Sequence, residues 1–265
     1  MSDSSDLLSL STIVTTLRIA GCVFAEEEAQ LLISAAKTQS DLSLMIDKRR
    51  SGLPLEQILG WAEFCGLRVA IEPGVFIPRH RTEFLVSQAI SLLRPDSIVL
   101  DLCCGSGAVG LAMISFFPLV KLYAADIDPV AVRCAHRNLA PFGGKVFEGD
   151  LFEPISKELK GQIEILIANA PYVPTEAIEM MPRESRIYET RVSLDGGGDG
   201  LDVQRRIAAS APQWLAPRGY LLVETSEKQA ANTADIFLLN GLRPKIVSSD
   251  EFDATVVIGM MYPSD

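Results

Sequence analysis

Ile163-Glu164-Ile165-Leu166-Ile167-Ala168-Asn169-Ala170-Pro171-Tyr172 is the stretch on which the fold turns. Its first six residues are almost continuously apolar, the pattern of a strand buried on both faces of a parallel sheet. A short polar-aromatic turn at the carboxyl end of such a strand is where open α/β sheets hold their ligands. The four turn residues suit one chemical task. The Asn169 amide oxygen and the Ala170 carbonyl can each accept one N–H of a planar NH2 group. Tyr172 can lie against its π face, and Pro171 stiffens the backbone between them. Alone, the stretch reads equally well as an ordinary strand-ending turn, because Asn and Pro are common turn residues.

The surrounding pattern supports the sheet. From Ser97 onward strands and helices alternate, which predicts an α/β sheet with helices on both faces. Ile98-Val99-Leu100, Val120 to Ala125, Lys145-Val146-Phe147, Ile163 to Ala168 and Tyr220-Leu221-Leu222-Val223 are the first five strands. Lys245-Ile246-Val247 and Thr255-Val256-Val257-Ile258 add two more. Ala108 to Phe117, Pro129 to Leu139 and Lys228 to Leu239 read as the intervening helices, with Phe84 to Leu93 ahead of them behind Thr82 as a cap. Pro174 to Gly200, with the flexible-looking Asp195-Gly196-Gly197-Gly198-Asp199-Gly200, is too long for a plain connection and is expected to be a lid or substrate wall.

Upstream, residues 1–58 read as a small helical module. Ile13, Leu17 and Ala20 lie at helical spacing, a second helix covers Glu26 to Lys37, and Asp41 is expected to cap a third. Residues 59–80 read as a linking hairpin turned at Pro73-Gly74, and 81–265 as the main domain.

Composition bounds the function classes. The chain has 265 residues, 48% hydrophobic and 22% charged, as in an ordinary globular protein. No apolar run is long enough to span a membrane, and Met1-Ser2-Asp3-Ser4-Ser5-Asp6 is acidic rather than signal-like, so a cytoplasmic enzyme without a membrane partner is expected. A net charge of −10 argues against a nucleic-acid partner held through its phosphates. Five scattered cysteines without a Cys-x-x-Cys predict reduced thiols, and two isolated histidines point to no metal site. The adjacent Cys103-Cys104 read better as small residues packed in a tight loop than as a redox pair.

Three further sites follow successive strands. Asp101-Leu102-Cys103-Cys104-Gly105-Ser106-Gly107 ends the first strand and opens a helix, where glycines admit a ligand close to the backbone and the helix start offers free N–H groups. The spacing is neither a dinucleotide fingerprint nor a triphosphate loop, which leaves a nucleoside-like ligand without a polyphosphate. Asp126, after the second strand, is placed to bond a ribose diol. Asp150-Leu151, after the third, can meet an adenine edge and cover its face. Each signal is weak singly; their order along the sheet makes them strong.

These residues resemble the S-adenosylmethionine site of class I methyltransferases. With Phe76-Ile77-Pro78-Arg79-x-x-Thr82-Glu83 ahead and Asn169-Ala170-Pro171-Tyr172 behind, the chain resembles the protein-(glutamine-N5) methyltransferases along nearly its whole length. Leu194-Asp195-Gly196 through Gly200-Leu201 and Gly219 to Glu224 also fit that pattern. The resemblance implies a Rossmann-like sheet with a small N-terminal helical substrate-recognition domain. It implies S-adenosylmethionine as cofactor, S-adenosylhomocysteine as product, and a glutamine of a peptide-chain release factor as substrate. Phe76, Arg79, Asp101, Cys103, Cys104, Gly105, Ser106, Gly107, Asp126, Asp150, Leu151 and Asn169 would then hold the cofactor. Asn169, Ala170, Pro171 and Tyr172 would hold the substrate amide, with Asn169 and Tyr172 catalytic. The chain departs from the family in three places: Ala170 stands where Pro is usual, Cys103-Cys104 where Gly-Thr is usual, and Asp250 to Thr255 lacks an expected Arg. Two rival functions share the same residues: adenine-N6 methylation of DNA or RNA, and a cofactor-binding interaction protein that has lost catalysis.

Overall fold

The structure, a computed structural model, describes residues 9–262, so the acidic Met1-Ser2-Asp3-Ser4-Ser5-Asp6 lies outside the described residues. Its centre is a seven-stranded sheet in the order β5-β4-β3-β6-β7-β9-β8. The strands are β3 (Ile98–Leu102), β4 (Lys121–Asp126), β5 (Lys145–Glu148), β6 (Ile163–Ala168), β7 (Leu215–Thr225), β8 (Leu242–Ser249) and β9 (Ala254–Met261). β3 to β7 run parallel, and β9 pairs antiparallel with both β7 and β8. The sheet is thus the mostly parallel α/β arrangement that the alternating pattern predicts.

Both faces of the sheet are covered, and alternation along the strands decides which residue meets which cover. Val99, Ile165 and Ile167 pack with α5 (Thr82–Ile90), α6 (Ala108–Phe116) and α7 (Pro129–Leu139). Leu100, Leu102, Leu166 and Ala168 pack with α9 (Asp202–Trp214) and α10 (Ala230–Leu239). Helix α9 is not apparent from the sequence, because Pro212 lies within it and argues against a helix. Its Ile207, Ala208, Ala211 and Trp214 nevertheless recur at helical spacing and are buried.

The chain reverses direction at the middle of this sheet. It builds β3, then steps outward to β4 and β5, and returns to lay β6 on the other side of β3. The carboxyl ends of β3 and β6 therefore open a crevice between them, the topological switch point at which such sheets bind ligands.

Upstream, α1 (Leu10–Ile19), α2 (Ala25–Ala35), α3 (Gln39–Arg50) and α4 (Leu55–Leu59) enclose their own cluster around Ile13, Leu17, Ala29, Leu32, Leu42 and Ile46. Thr38, not Asp41, caps α3: its hydroxyl accepts the Asp41 N–H at 3.0 Å. The hairpin also differs from expectation. Strands β1 (Trp61–Phe64) and β2 (Leu67–Ala70) turn at Cys65-Gly66, both with positive φ, the geometry of a two-residue hairpin turn. Pro73-Gly74 forms a separate turn, in which the Val75 N–H reaches Glu72 O at 3.1 Å. The hairpin is stapled to the sheet domain by buried Asn138, whose side chain bonds both backbone groups of Ala70 at 2.9 Å and Ser106 O at 2.8 Å.

Candidate active site

A cavity of about 1210 Å³ occupies the switch point and continues to α2 and α4 of the helical module. The glycine loop, Asp126, Asp150-Leu151 and Asn169 to Tyr172 all line it, so residues far apart along the chain meet in one space.

The glycine loop is built by left-handed backbone. Cys103, Gly105 and Gly107 have φ of 56°, 55° and 76°, and Gly107 is the residue before α6. A Cβ on Gly105 would meet nothing within 4 Å, so the cavity lies open above the loop. A Cβ on Gly107 would meet Leu139 at 3.0 Å, so there the missing side chain serves packing of α6 on α7. Beneath the loop Asp101 is fully buried and accepts the Gly110 N–H at 3.1 Å. Burial pushes its carboxyl up to about 7, against the pull of that hydrogen bond.

Asp126 braces the loop from β4. Its two oxygens accept the Gly105 N–H at 2.8 Å and the Asp128 N–H at 2.9 Å. A carboxylate has about four acceptor positions, so each oxygen keeps one for a ligand hydroxyl. Burial raises its proton affinity, and the two N–H bonds oppose that shift. Asp150 is paired with Arg206 of α9 at 2.6 Å, which fixes its direction at the cavity wall. Leu151, with φ of 50°, stands beside it. This end of the cavity carries Asp101, Asp126, Asp128 and Asp150 with Arg206 as its cation, which suits a cationic nucleoside derivative and not a polyphosphate.

Ahead of α5, Phe76 and Arg79 stand together, with the guanidinium 4.8 Å above the ring. Arg79 also pairs with buried Glu189, so its charge is already committed to the segment that follows Tyr172. Thr82 does not cap α5; Arg81 precedes the helix and no side chain caps it. The buried Thr82 hydroxyl instead accepts the Asn169 Nδ2–H at 3.2 Å. That bond leaves Asn169 Oδ1 without a protein hydrogen at the cavity. Tyr172 donates its hydroxyl to Glu224 Oε1 at 3.3 Å. Burial and the neighbouring Glu224 push the Tyr172 phenol up to about 12, so it stays protonated and acts as a donor.

The segment expected to be a lid or substrate wall is folded, and residues between Met181 and Asp195 line the cavity. It forms a 3-10 turn (Thr175–Met180), α8 (Arg183–Tyr188) and a second 3-10 turn (Arg191–Ser193). Gly196 and Gly200 are there for close approach, not for flexibility. A Cβ on Gly196 would lie 2.7 Å from Pro171 O, and one on Gly200 only 2.3 Å from Tyr172 O. The Gly196 N–H bonds Val173 O at 2.9 Å and the Val173 N–H bonds Leu194 O at 3.1 Å. Gln229, just after β7, donates one amide N–H to Tyr172 O and the other to Asp199 O, both at 3.0 Å. The string is a brace against the back of the Asn169–Tyr172 turn.

α8 also ties the cavity to the helical module. Arg49 of α3 pairs with buried Glu28 at 2.6 Å and reaches Glu184 of α8 at 3.4 Å. Gln57 donates to Tyr188 O at 3.3 Å. Among the described residues no cluster of His, Cys, Asp and Glu is arranged to hold a metal ion, and no helix is long and apolar enough to cross a membrane.

Gln229 and Arg206 are not singled out by sequence reasoning, and Thr82 is read only as a helix cap and motif member and Glu224 only as the end of a motif, with no role at the site. For Glu224 a signal exists: an acid closing an apolar strand run, the same signal that marks Asp126. The others are brought in by packing alone.

Comparison with known proteins agrees with this arrangement. Residues 66–206 match the family model described as "Methyltransferase small domain". The release factor glutamine methyltransferase of Geobacter sulfurreducens is 36% identical over 217 residues, which span 81% of this chain and 75% of that protein. That of Moorella thermoacetica is 36% identical over 197 residues, 72% of this chain and 68% of the relative. Among solved structures, a methyltransferase from Pyrococcus furiosus superposes with a TM-score of 0.56 over 84% of this chain and 99% of its own, at 14% identity, which supports the fold alone.

Proposed function

This chain belongs to the release factor glutamine methyltransferase family, and from that premise we propose that it methylates the side-chain amide nitrogen of a glutamine in a peptide-chain release factor, using S-adenosylmethionine. One observation carries the reading. Asn169 is tied through its NH2 to Thr82, which leaves its oxygen as an acceptor, and Asn169 and Ala170 both line the cavity.

The residues present fit the cofactor. The left-handed loop from Cys103 to Gly107 would pass around its methionine part, Asp126 would bond its ribose, and Asp150 and Leu151 would meet its adenine. The acidic lining suits a sulfonium and an ammonium group. S-Adenosylmethionine bound there supplies an electrophilic methyl group, which no side chain of the protein can offer.

The chain's own residues act on the nucleophile. An amide nitrogen is a poor nucleophile because its lone pair is delocalised. Asn169 Oδ1 and Ala170 O, each accepting one of its hydrogens, would draw that pair onto nitrogen and fix its line of attack. Both acceptors also suit the positive charge that builds on nitrogen, which then releases one proton to water. Tyr172, its hydroxyl anchored on Glu224, would cover the amide's face. Ala170 in place of Pro keeps the carbonyl, and the brace from Gly196 to Gly200 supports the turn's stiffness. Residues 1–58 would serve as the substrate-recognition domain, residues 59–80 as the link, and residues 81–265 as the methyltransferase domain. Phe76 and Arg79 would border the cofactor from the link.

The test is methyl transfer from labelled S-adenosylmethionine to release factor, with the site read by peptide mass. Label on one glutamine, reduced about 1000-fold or more in Asn169→Ala with S-adenosylhomocysteine still bound, is expected. An Asn169→Ala enzyme that turns over normally overturns this mechanism. Label on adenine of a nucleic acid instead of protein overturns the substrate.

A further inference from the structure

The mechanism needs the Asn169 amide to present oxygen, not nitrogen, to the substrate. Nothing in an asparagine favours one face over the other; the two arrangements differ by a half-turn of the terminal torsion. Something behind it must choose. Its partner is the Thr82 hydroxyl, and a hydroxyl can either donate or accept.

Glu224, near the end of β7, lies beside Tyr172 of the clamp and beside Thr82, the partner of Asn169. It is buried, and its Oε1 accepts the Tyr172 hydroxyl at 3.3 Å. Burial raises its proton affinity; Thr82, Arg81 and Tyr172 beside it oppose that rise. Its second oxygen, Oε2, is buried and makes no hydrogen bond of normal geometry, which leaves it as an acceptor short of a donor. An ionised carboxylate accepts and never donates. Thr82 already accepts from Asn169, so its one hydrogen is left for another acceptor, and the partnerless oxygen of Glu224 beside it, in its ionised form, would take it. What Thr82 shows Asn169 is then a lone pair, and Asn169 must answer with its NH2. Its oxygen is left facing the cavity.

Resting on the glutamine-methyltransferase reading above, we infer that Glu224 is the positioning residue of this site: it orients the Asn169 amide through Thr82 and anchors the Tyr172 hydroxyl directly. The carboxylate touches neither cofactor nor substrate. It acts by imposing one hydrogen-bond direction on the two residues that do.

Glu224→Gln is the informative change, because it keeps the shape and replaces one acceptor with a donor. Thr82 can then accept from the introduced amide and donate to Asn169, which permits the wrong face to turn outward. On release factor, kcat is expected to fall about 100-fold, with the affinity for S-adenosylhomocysteine within about twofold of wild type. Thr82→Val should lose a similar factor, and Thr82→Ser, which keeps the hydroxyl, should recover most of it. The double variant Glu224→Gln/Thr82→Val should be no slower than the worse single one, since both break one relay. A Glu224→Gln enzyme with wild-type kcat, or single effects that multiply in the double, overturns the inference. Should Glu224→Gln fail to bind S-adenosylhomocysteine, the Thr82 pair decides: full activity in Thr82→Val refutes the relay. An inactive wild type would instead overturn the glutamine reading, so the two failures are told apart.

Discussion

Gly200→Ala separates a brace from a flexible lid. Gly200 has a φ of 80°, where a residue with a Cβ costs about 1–2 kcal/mol more than glycine. The added Cβ would also lie 2.3 Å from Tyr172 O and 2.5 Å from Gln229 Nε2. The first of these is backbone and cannot yield without shifting the turn that carries Asn169. The second can yield, but only by giving up the bonds from Gln229 to Tyr172 O and Asp199 O, each worth about 1 kcal/mol net. Together the substitution should cost about 3–4 kcal/mol, measured as a urea midpoint with linear extrapolation. Any turn displacement approaching an ångström should lower kcat by about 100-fold, measured with labelled cofactor. Gly198→Ala is the control within the same string. Its Cβ would meet nothing within 4 Å, and stability should stay within about 0.5 kcal/mol of wild type. If Gly200→Ala proves as stable and active as Gly198→Ala, the string is a mobile cover and the bracing argument is wrong.

Two further expectations concern buried titratable groups. The Asp101 carboxyl is held at about 7 in the fold and near 3.8 when unfolded, so between these values the folded chain carries a proton that the unfolded chain lacks. Stability is therefore greatest below about pH 4 as far as this group is concerned and falls as pH rises toward 7. The loss is up to about 4 kcal/mol; in Asp101→Asn, which can still accept the Gly110 N–H, the difference in urea midpoint between about pH 5 and about pH 8 should shrink. An unchanged difference would mean that Asp101 is not titrating there. All five thiols are raised above their ordinary range, chiefly by burial, Cys65 to about 12 and Cys134 to about 11. A disulfide reagent at about pH 7.5 should find all of them slower than a free thiol, Cys65 and Cys134 by at least about 100-fold, and all five fast in denaturant. A rapid equivalent from the native protein that disappears in Cys103→Ser/Cys104→Ser would show a reactive Cys103-Cys104 pair after all.

Much of the fold was legible because its signals are local. Ile163 to Ala168 reads as a strand from composition alone, and Pro129–Leu139 is bounded by its own proline and polar face. What misled were places where a local rule meets a tertiary partner. Pro212 argues against a helix, yet the apolar stripe of α9 outweighs it once buried on β7 and its neighbours. Gly196 to Gly200 look flexible because glycine is flexible in isolation. In the fold Gly196 and Gly200 are the residues that let two backbones touch.

The sequence by itself determined the parallel α/β plan, the order of Asp101, Asp126 and Asp150 after successive strands, and the chemistry available in Asn169 to Tyr172. Periodicity and residue type are properties of a short stretch, and a short stretch suffices to read them. The tertiary structure alone decided which way that chemistry faces. Glu224, Thr82, Gln229 and Gly200 are far from Asn169 or from one another along the chain, and they meet only because β7 lies beside β6 and the chain after Tyr172 folds back on itself. Hydrogen-bond direction is a property of the neighbours that a side chain acquires on folding, and no pattern in the sequence immediately around Asn169 contains them.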